Sequence, residues 1–155
     1  MFRRSGAALL FAAALPLAAQ TAAKPVLMKA PGDPVTLQIF ATSVPERPPL
    51  ELKWEVVFPA QLMDLEGDPV AGSAAAASGK SLKCERQKPR EYVYACLLSG
   101  GNKPVADGQI AVFHFRIRPE AKPGKITLTV QQAGARTKEG REVPLKNTES
   151  FFMIR

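Results

Sequence analysis

His114 is the chain's single histidine and the residue best suited by type to acid–base chemistry. An imidazole titrates near neutral pH and can serve as a general base or a metal ligand. Alternation with Phe113 and Phe115 places this side chain on the water-facing side of a strand. Its neighbours on that side are Val112 and Arg116, and neither would orient or activate an imidazole. The pattern therefore predicts a surface histidine.

The acidic residues show no catalytic pattern either. Four of them lie in apparent loops, and no pair is spaced to flank one glycosidic bond: Asp64, Glu66, Asp68 and Asp107. The stretch DLEGD resembles the start of a calcium loop, but it lacks the later bidentate glutamate. The sequence also has no glycine-rich phosphate loop. We therefore predict that the protein is not an enzyme and uses no metal and no cofactor.

The N-terminus has the organisation of a bacterial secretory signal peptide. Arg3 and Arg4 precede an apolar run, GAALLFAAALPL, and small residues follow it. This run is too short to span a bilayer comfortably, although a retained N-terminal anchor is the alternative. We predict a signal peptide over residues 1–20, a linker over 21–30 and one domain over 31–155. The mature chain would have no transmembrane segment and would be secreted or periplasmic.

Export gives the two cysteines a structural meaning. The stretch SLKCERQKPREYVYACLLSG is typical of two strands around a turn, and Cys84 then faces Cys96 across a three-residue loop, 89–91. Directly opposed positions are close enough for a disulfide, which an oxidising compartment would preserve. Two free buried cysteines are the alternative. A cysteine metal site would need a second pair of ligands that the chain does not have.

The positive charge is spread along the chain. The formal net charge is +7, but the lysines and arginines are scattered and only thinly interleaved with aromatic residues. Such a surface is usually solvated and attracts anionic polymers weakly. We predict no nucleic-acid partner.

Four apolar rows of period two indicate half-buried antiparallel strands. They begin at Val35, Leu50, Ala111 and Ile126. Glycine and proline turns separate them, and the low-complexity segment 71–79 is predicted to be a loop. Residues 151–155 are expected to form a closing strand. The fold class predicted is all-β: an antiparallel two-sheet β-sandwich of about nine strands, with Trp54 in its core.

Four motifs occur in the order and spacing of a known family. They are GDPVTL at residues 32–37, LKWEVVFPAQL at 52–62, DGQIAVFHFRI at 107–117 and PGKITL at 123–128. Together they resemble bacterial cohesin domains of the cellulosomal type. The resemblance implies a jelly-roll sandwich, the fold shared with a group of cellulose-binding modules. It also implies a non-catalytic role, binding calcium-loaded dockerin modules.

Two features depart from the cohesin pattern. The segment 95–100 has no acidic residue, although cohesins often present acids to the dockerin there. A cysteine pair within the domain is also not usual in cohesins.

We therefore expect a secreted recognition module in extracellular polysaccharide breakdown, with a dockerin-type protein or a polysaccharide as its partner. Partner contacts are predicted on the hairpin face and on the solvent side of the His114 strand, at Tyr92, Tyr94, Leu98, Val112, His114 and Arg116. With Trp54 in the core, only Phe40, Tyr92 and Tyr94 remain for stacking on sugar rings, so a protein partner is favoured.

Two other functions are compatible with the sequence. One is a structural subunit of an envelope or secretion assembly, which would pack through outer positions Phe152 and Ile154 of the last strand. The other is electrostatic binding of anionic envelope polymers through the scattered lysines and arginines.

Overall fold

The structure, a computed structural model, describes residues 10–16, 27–42, 46–90 and 92–155. Within these ranges the chain forms twelve strands and one short helix. The elements are β1 Leu10–Pro16, β2 Met28–Lys29, β3 Pro34–Thr42, β4 Pro49–Val57, β5 Met63–Leu65, β6 Val70–Ala71, α1 Ser73–Ala77, β7 Ser81–Arg86, β8 Val93–Ser99, β9 Gly108–Ile117, β10 Gly124–Thr137, β11 Glu142–Pro144 and β12 Thr148–Ile154.

Two sheets face each other. One has the order β1-β3-β9-β5, with β6 also on β9; the other has the order β2-β12-β10-β4-β8-β7, with β11 also on β10. The strand pairs are antiparallel except β1 with β3 and β2 with β12. The predicted jelly-roll β-sandwich is confirmed. The number of strands exceeds the expected nine because the count includes four strands of only two or three residues: β2, β5, β6 and β11.

The core lies between the sheets and consists of the predicted alternating rows. Trp54 on β4 is 2% exposed, and Phe113 and Phe115 on β9 are fully buried. The side chains between them point outward, as the period of two requires. Removing these large apolar surfaces from water is the main favourable term in forming the sandwich. Trp54 is therefore a core residue, as predicted.

The prediction of a loop over residues 71–79 was wrong, because residues Ser73–Ala77 form α1. Ala74 and Ala75 are buried in the core, so alanine's high helix propensity is supported by burial of one face. Ser78 closes the turn by donating its hydroxyl to the Ala74 carbonyl at 2.7 Å. Glycine and serine around the alanines cap this helix and do not prevent it.

The N-terminal predictions fall partly on described residues. Residues 10–16, the apolar part of the predicted signal peptide, form β1 and pair in parallel with Thr36–Thr42. Residues 1–9 and 17–26 lie outside the described part of the chain. The predicted linker ends in β2, which pairs with Met153 and Ile154 of β12. Among the described residues no helix has the length and apolar composition that crossing a membrane requires.

The Cys84–Cys96 disulfide is formed. The register is the predicted one, with Glu85 opposite Ala95 and Arg86 opposite Tyr94. Cys96 also lies opposite Trp54 on β4, so the bridge is on the inner side of the sheet. It joins the edge strand β7 to the interior. The tip of the hairpin includes Glu91, which is outside the described residues.

Removing the disulfide by the double substitution Cys84→Ala and Cys96→Ala should lower the free energy of unfolding by about 3 kcal/mol. The bond joins two residues at a sequence separation of 12 and so limits the conformations of the unfolded chain. Without the bond, the unfolded chain regains this conformational entropy. Denaturant unfolding of wild-type and variant under oxidising conditions measures the difference. The same substitutions compared under reducing conditions are the control, where the two proteins should be nearly equal; a large difference there would contradict this explanation.

Gly72 lets α1 approach β9 closely. Its N–H donates to the Ile110 carbonyl at 2.9 Å. A Cβ at position 72 would lie 2.3 Å from the backbone oxygen of Gln109, which cannot move as a side chain end can. We expect Gly72→Ala to cost about 1–3 kcal/mol in unfolding free energy. Gly134→Ala is the matched control, because the nearest atom there is the flexible Lys53 Cε at 3.2 Å. Equal thermal stability of the two variants would contradict this.

Candidate binding surface

The six residues predicted to contact a partner do not form one surface. Tyr92, Tyr94 and Leu98 are in or beside β8 of the seven-stranded sheet, whereas Val112, His114 and Arg116 are on β9 of the five-stranded sheet. The two sheets pack through their inner faces, so their outer faces point in opposite directions. The contacts predicted on the hairpin and those predicted on the His114 strand therefore lie on different sheets, and one flat partner surface cannot cover both.

Leu98 was also wrongly assigned to the surface. It is fully buried, since it lies opposite Leu52 in the register of β4 and β8 and points into the core with it. Its neighbour Leu97 is 40% exposed on the outer face. Tyr94 is half-buried at the edge of the core, where its ring lies 6.0 Å from that of Phe58. Of the three predicted contacts in this region, only Tyr92 is well exposed.

The outer face of the five-stranded sheet carries arginines that are already engaged. His114 is exposed, as predicted, with Nδ1 3.5 Å from the Thr36 hydroxyl. Arg116 pairs with Glu66 and donates to the Gly32 carbonyl at 2.9 Å. The hydrogen bond to Glu66 raises the pKa of Arg116 above its ordinary value, and the charge of Glu66 adds to the effect. Arg118 pairs with Asp64 at 2.8 Å.

Within the described residues, no three histidine, cysteine, aspartate or glutamate side chains come together as metal ligands. Asp64, in the segment that resembled a calcium loop, is instead paired with Arg118. Glu66 is likewise paired with Arg116.

A concave surface lies on the outer face of the seven-stranded sheet. This central groove has a volume of about 740 Å³. Its walls come from β4, the turn between β7 and β8, β8, β10, β11 and the segment after β11, and they include Lys53, Glu55, Arg90, Ala95, Gln131, Glu142 and Asn147. The register of β10 against β4 shifts between Gln131 and Gly134, and Gln132 has a φ of 50°. Such a bulge bends a strand, which makes this face concave.

Charged side chains of both signs surround the central groove. Arg136 lies between Glu51 at 3.4 Å and Glu142 at 3.8 Å, and Glu142 also approaches Lys53 at 4.0 Å. Glu55 pairs with Arg90 at 3.5 Å and accepts a hydrogen bond from Gln131 at 3.1 Å.

Ala95 lines the central groove, and Leu97 lies next to it, opposite Lys53 in the strand register. An apolar centre within a polar rim is the usual anatomy of a protein interface. Sequence reasoning missed Leu97 and Lys53. The signal that could have found Leu97 is its place next to Cys96, because burial of Cys96 requires that Leu97 faces outward.

The buried Lys80 stabilises one end of the seven-stranded sheet. It is 6% exposed, and its Nζ donates to the Gly100 carbonyl at 2.7 Å. Burial lowers the pKa of Lys80, and the charge of Glu51 opposes that shift. The bond ties the turn after β8 to the start of β7, so it holds the end of the groove-bearing strands.

The outward positions of the last strand differ from the predicted ones. Phe152 and Ile154 are buried, and Phe151 is the exposed residue. In the sequence SFFMI, both alternating sets of residues contain large apolar side chains. Alternation alone therefore could not decide which set faces the core. The proposed packing of an envelope subunit through Phe152 and Ile154 is therefore excluded.

Comparison with known proteins finds similarity in structure only. No family model matches the sequence, and a search of curated proteins finds no match. A chain from a type I cohesin–dockerin complex of Clostridium thermocellum aligns with a TM-score of 0.69 at 15% identity, covering 84% of this chain and 94% of that one. The chain has the cohesin fold.

Two further similar structures are also named as cohesins. A non-cellulosomal cohesin from the archaeon Archaeoglobus fulgidus aligns with a TM-score of 0.65 at 14% identity, covering 84% of this chain and 86% of that one. A cohesin module from a Clostridium perfringens family 33 glycoside hydrolase aligns with a TM-score of 0.65 at 11% identity, covering 83% and 90%. The predicted resemblance to cohesins is confirmed for the fold.

Glu142→Gln should loosen the rim of the central groove without destabilising the domain. It removes the pairs that Glu142 makes with Arg136 and Lys53, which are exposed and worth less than about 1 kcal/mol in total. We expect an unchanged melting temperature within about 2–3 °C, with faster amide exchange in residues 142–147. Glu139→Gln, at the tip of the same hairpin, is the control and should leave that exchange unchanged. Faster exchange throughout the sandwich would contradict a local role.

Proposed function

We propose that this domain is a non-catalytic recognition module that binds a dockerin-type protein through the central groove of the seven-stranded sheet. The observation that carries the proposal is the exposed Leu97 beside a concave surface rimmed by charges of both signs. A partner that covers Leu97 and Ala95 would remove apolar area from water. The rim would then select a partner with the complementary charge pattern.

The opposite face of the sandwich is less suited to this role. Its two arginines, Arg116 and Arg118, are already paired with Glu66 and Asp64 on neighbouring segments. A partner would have to replace those pairs and would gain little net free energy from them. An exposed apolar residue that a partner can cover, Leu97, lies beside the central groove.

The similar structures support a dockerin-type partner in particular. Several of them are cohesin–dockerin complexes from Clostridium thermocellum and Clostridium acetobutylicum. The cohesin of Archaeoglobus fulgidus is described as non-cellulosomal, so the fold also occurs outside cellulosomes. We propose a secreted or periplasmic location in extracellular polysaccharide breakdown, which the disulfide and the pattern of the N-terminal residues support.

Leu97→Arg should weaken binding to a dockerin module by about 30-fold or more, because a buried apolar anchor at an interface centre contributes about 2 kcal/mol. The measurement is calorimetric titration against a panel of recombinant calcium-loaded type I dockerin modules. Leu97 is an outward residue, so the melting temperature should be nearly unchanged.

His114→Ala is the matched control on the opposite face and should bind as tightly as wild-type. Weaker binding by His114→Ala with normal binding by Leu97→Arg would move the site to the other sheet. Binding of no dockerin in the panel, or equal binding after calcium is chelated, would contradict the dockerin-type partner.

A further inference from the structure

We infer a second binding site, for a carboxylated saccharide, where β4 ends and β8 and β10 begin. This end groove has a volume of about 480 Å³ and is lined by Val57, Phe58, Pro59, Gln61, Leu62, Tyr92, Lys125, Ile126 and Thr127. It shares no described lining residue with the central groove. Its volume is within the usual range for small-ligand clefts, and it suits one or two sugar rings.

The walls of the end groove are fixed by the fold. Phe58 is 2% exposed and packs its ring 5.2 Å from that of Phe115 in the core. The Phe58 N–H donates to the Tyr92 carbonyl at 3.0 Å, which holds the start of β8 against the end of β4. On the other side, the Leu62 N–H donates to the Pro59 carbonyl at 2.9 Å. A site held in this way loses little conformational entropy on binding.

One exposed aromatic ring lines this groove, and a second lies beside it, next to two of the lining residues. Tyr92 lines it and is 46% exposed, and Phe151 is 39% exposed on β12, opposite Thr127 in the register with β10. Their exposed rings offer flat apolar surface to a ligand at this end of the sheet. The C–H face of a pyranose ring is apolar and flat, so it can pack on such rings while its hydroxyls stay at the solvent edge.

The charge of the end groove selects the kind of sugar. Among its described lining residues Lys125 is the single charged side chain. Its Nζ lies 4.5 Å from the centre of the Phe151 ring, and this cation–π contact holds the ammonium beside the aromatic surface. Gln61 and Thr127 supply neutral hydrogen-bonding groups to the hydroxyls.

The central groove, by comparison, has two acidic residues, Glu55 and Glu142, in its walls as well as two basic ones, Lys53 and Arg90. A ligand with an apolar ring face, several hydroxyls and one carboxylate per ring therefore complements the end groove. Saccharides built from uronic acids have this chemistry.

The test is titration of the isotope-labelled full domain with trigalacturonate, followed by nuclear magnetic resonance, with its methyl ester as a probe of the same rings without charge. Trigalacturonate should shift the amides of residues 57–62, 92 and 125–127, and bind more tightly than the ester. Lys125→Gln should reduce the affinity for trigalacturonate to that for the ester. Tyr92→Ala should weaken the binding of both by about five- to tenfold.

Leu97→Arg is the control, and it should bind trigalacturonate as wild-type does, so that failure of this site and failure of the protein-binding face are distinguishable. Mapping on the wild-type domain does not depend on whether any variant folds. Absence of saturable shifts at the end groove, or equal affinity for the acid and its ester, would overturn the proposal. Protection of the end groove by a bound dockerin module, with no saccharide binding, would assign these residues to the protein interface and would also overturn it.

Discussion

The structure depends on burying large side chains between two sheets. Trp54 comes from one sheet and Phe113 and Phe115 from the other, and all three are almost completely removed from water. Because side chains alternate along a strand, each buried position requires that its neighbours face outward. The same constraint that builds the core therefore fills the outer faces with the residues between: Lys53 and Glu55 on β4, His114 and Arg116 on β9.

The two outer faces then differ for reasons of local geometry. On β10 the register shift between Gln131 and Gly134 bends the strand, and β11 folds back beside it to form a rim. The result is a concave surface with unburied Leu97 at its side. On the other sheet the pairing of β9 with β5 has no register shift, and Arg116 and Arg118 pair with acids from the segment that contains β5. The seven-stranded sheet thus has a concave surface with an exposed apolar residue beside it.

The candidate site could be predicted only in part. His114 and the disulfide partners were placed correctly, because local alternation and hairpin register determine them. Leu98 was misplaced by one residue, since the phase of VYACLLS is set by Cys96 lying opposite Trp54. Phe152 was misplaced for a related reason: both phases of β12 are apolar, and only its pairing with Ile126 decides which faces inward. In both cases the error concerns which of the two alternating sets of residues in a strand faces the core. That choice depends on pairing with strands that are distant in the chain.

By itself, the sequence determined the strand periodicity, the two-layer architecture and the hairpin closed by Cys84 and Cys96. These follow from the spacing of apolar residues and turn formers over short stretches of chain. Only the tertiary structure decided that Tyr92 and His114 lie on opposite faces, and that Lys53 and Glu142 line one groove with Leu97 beside it. The physical reason is that outer surfaces are assembled from strands brought together by the packing of their other sides. A local pattern records which residues face outward but not which residues become neighbours there.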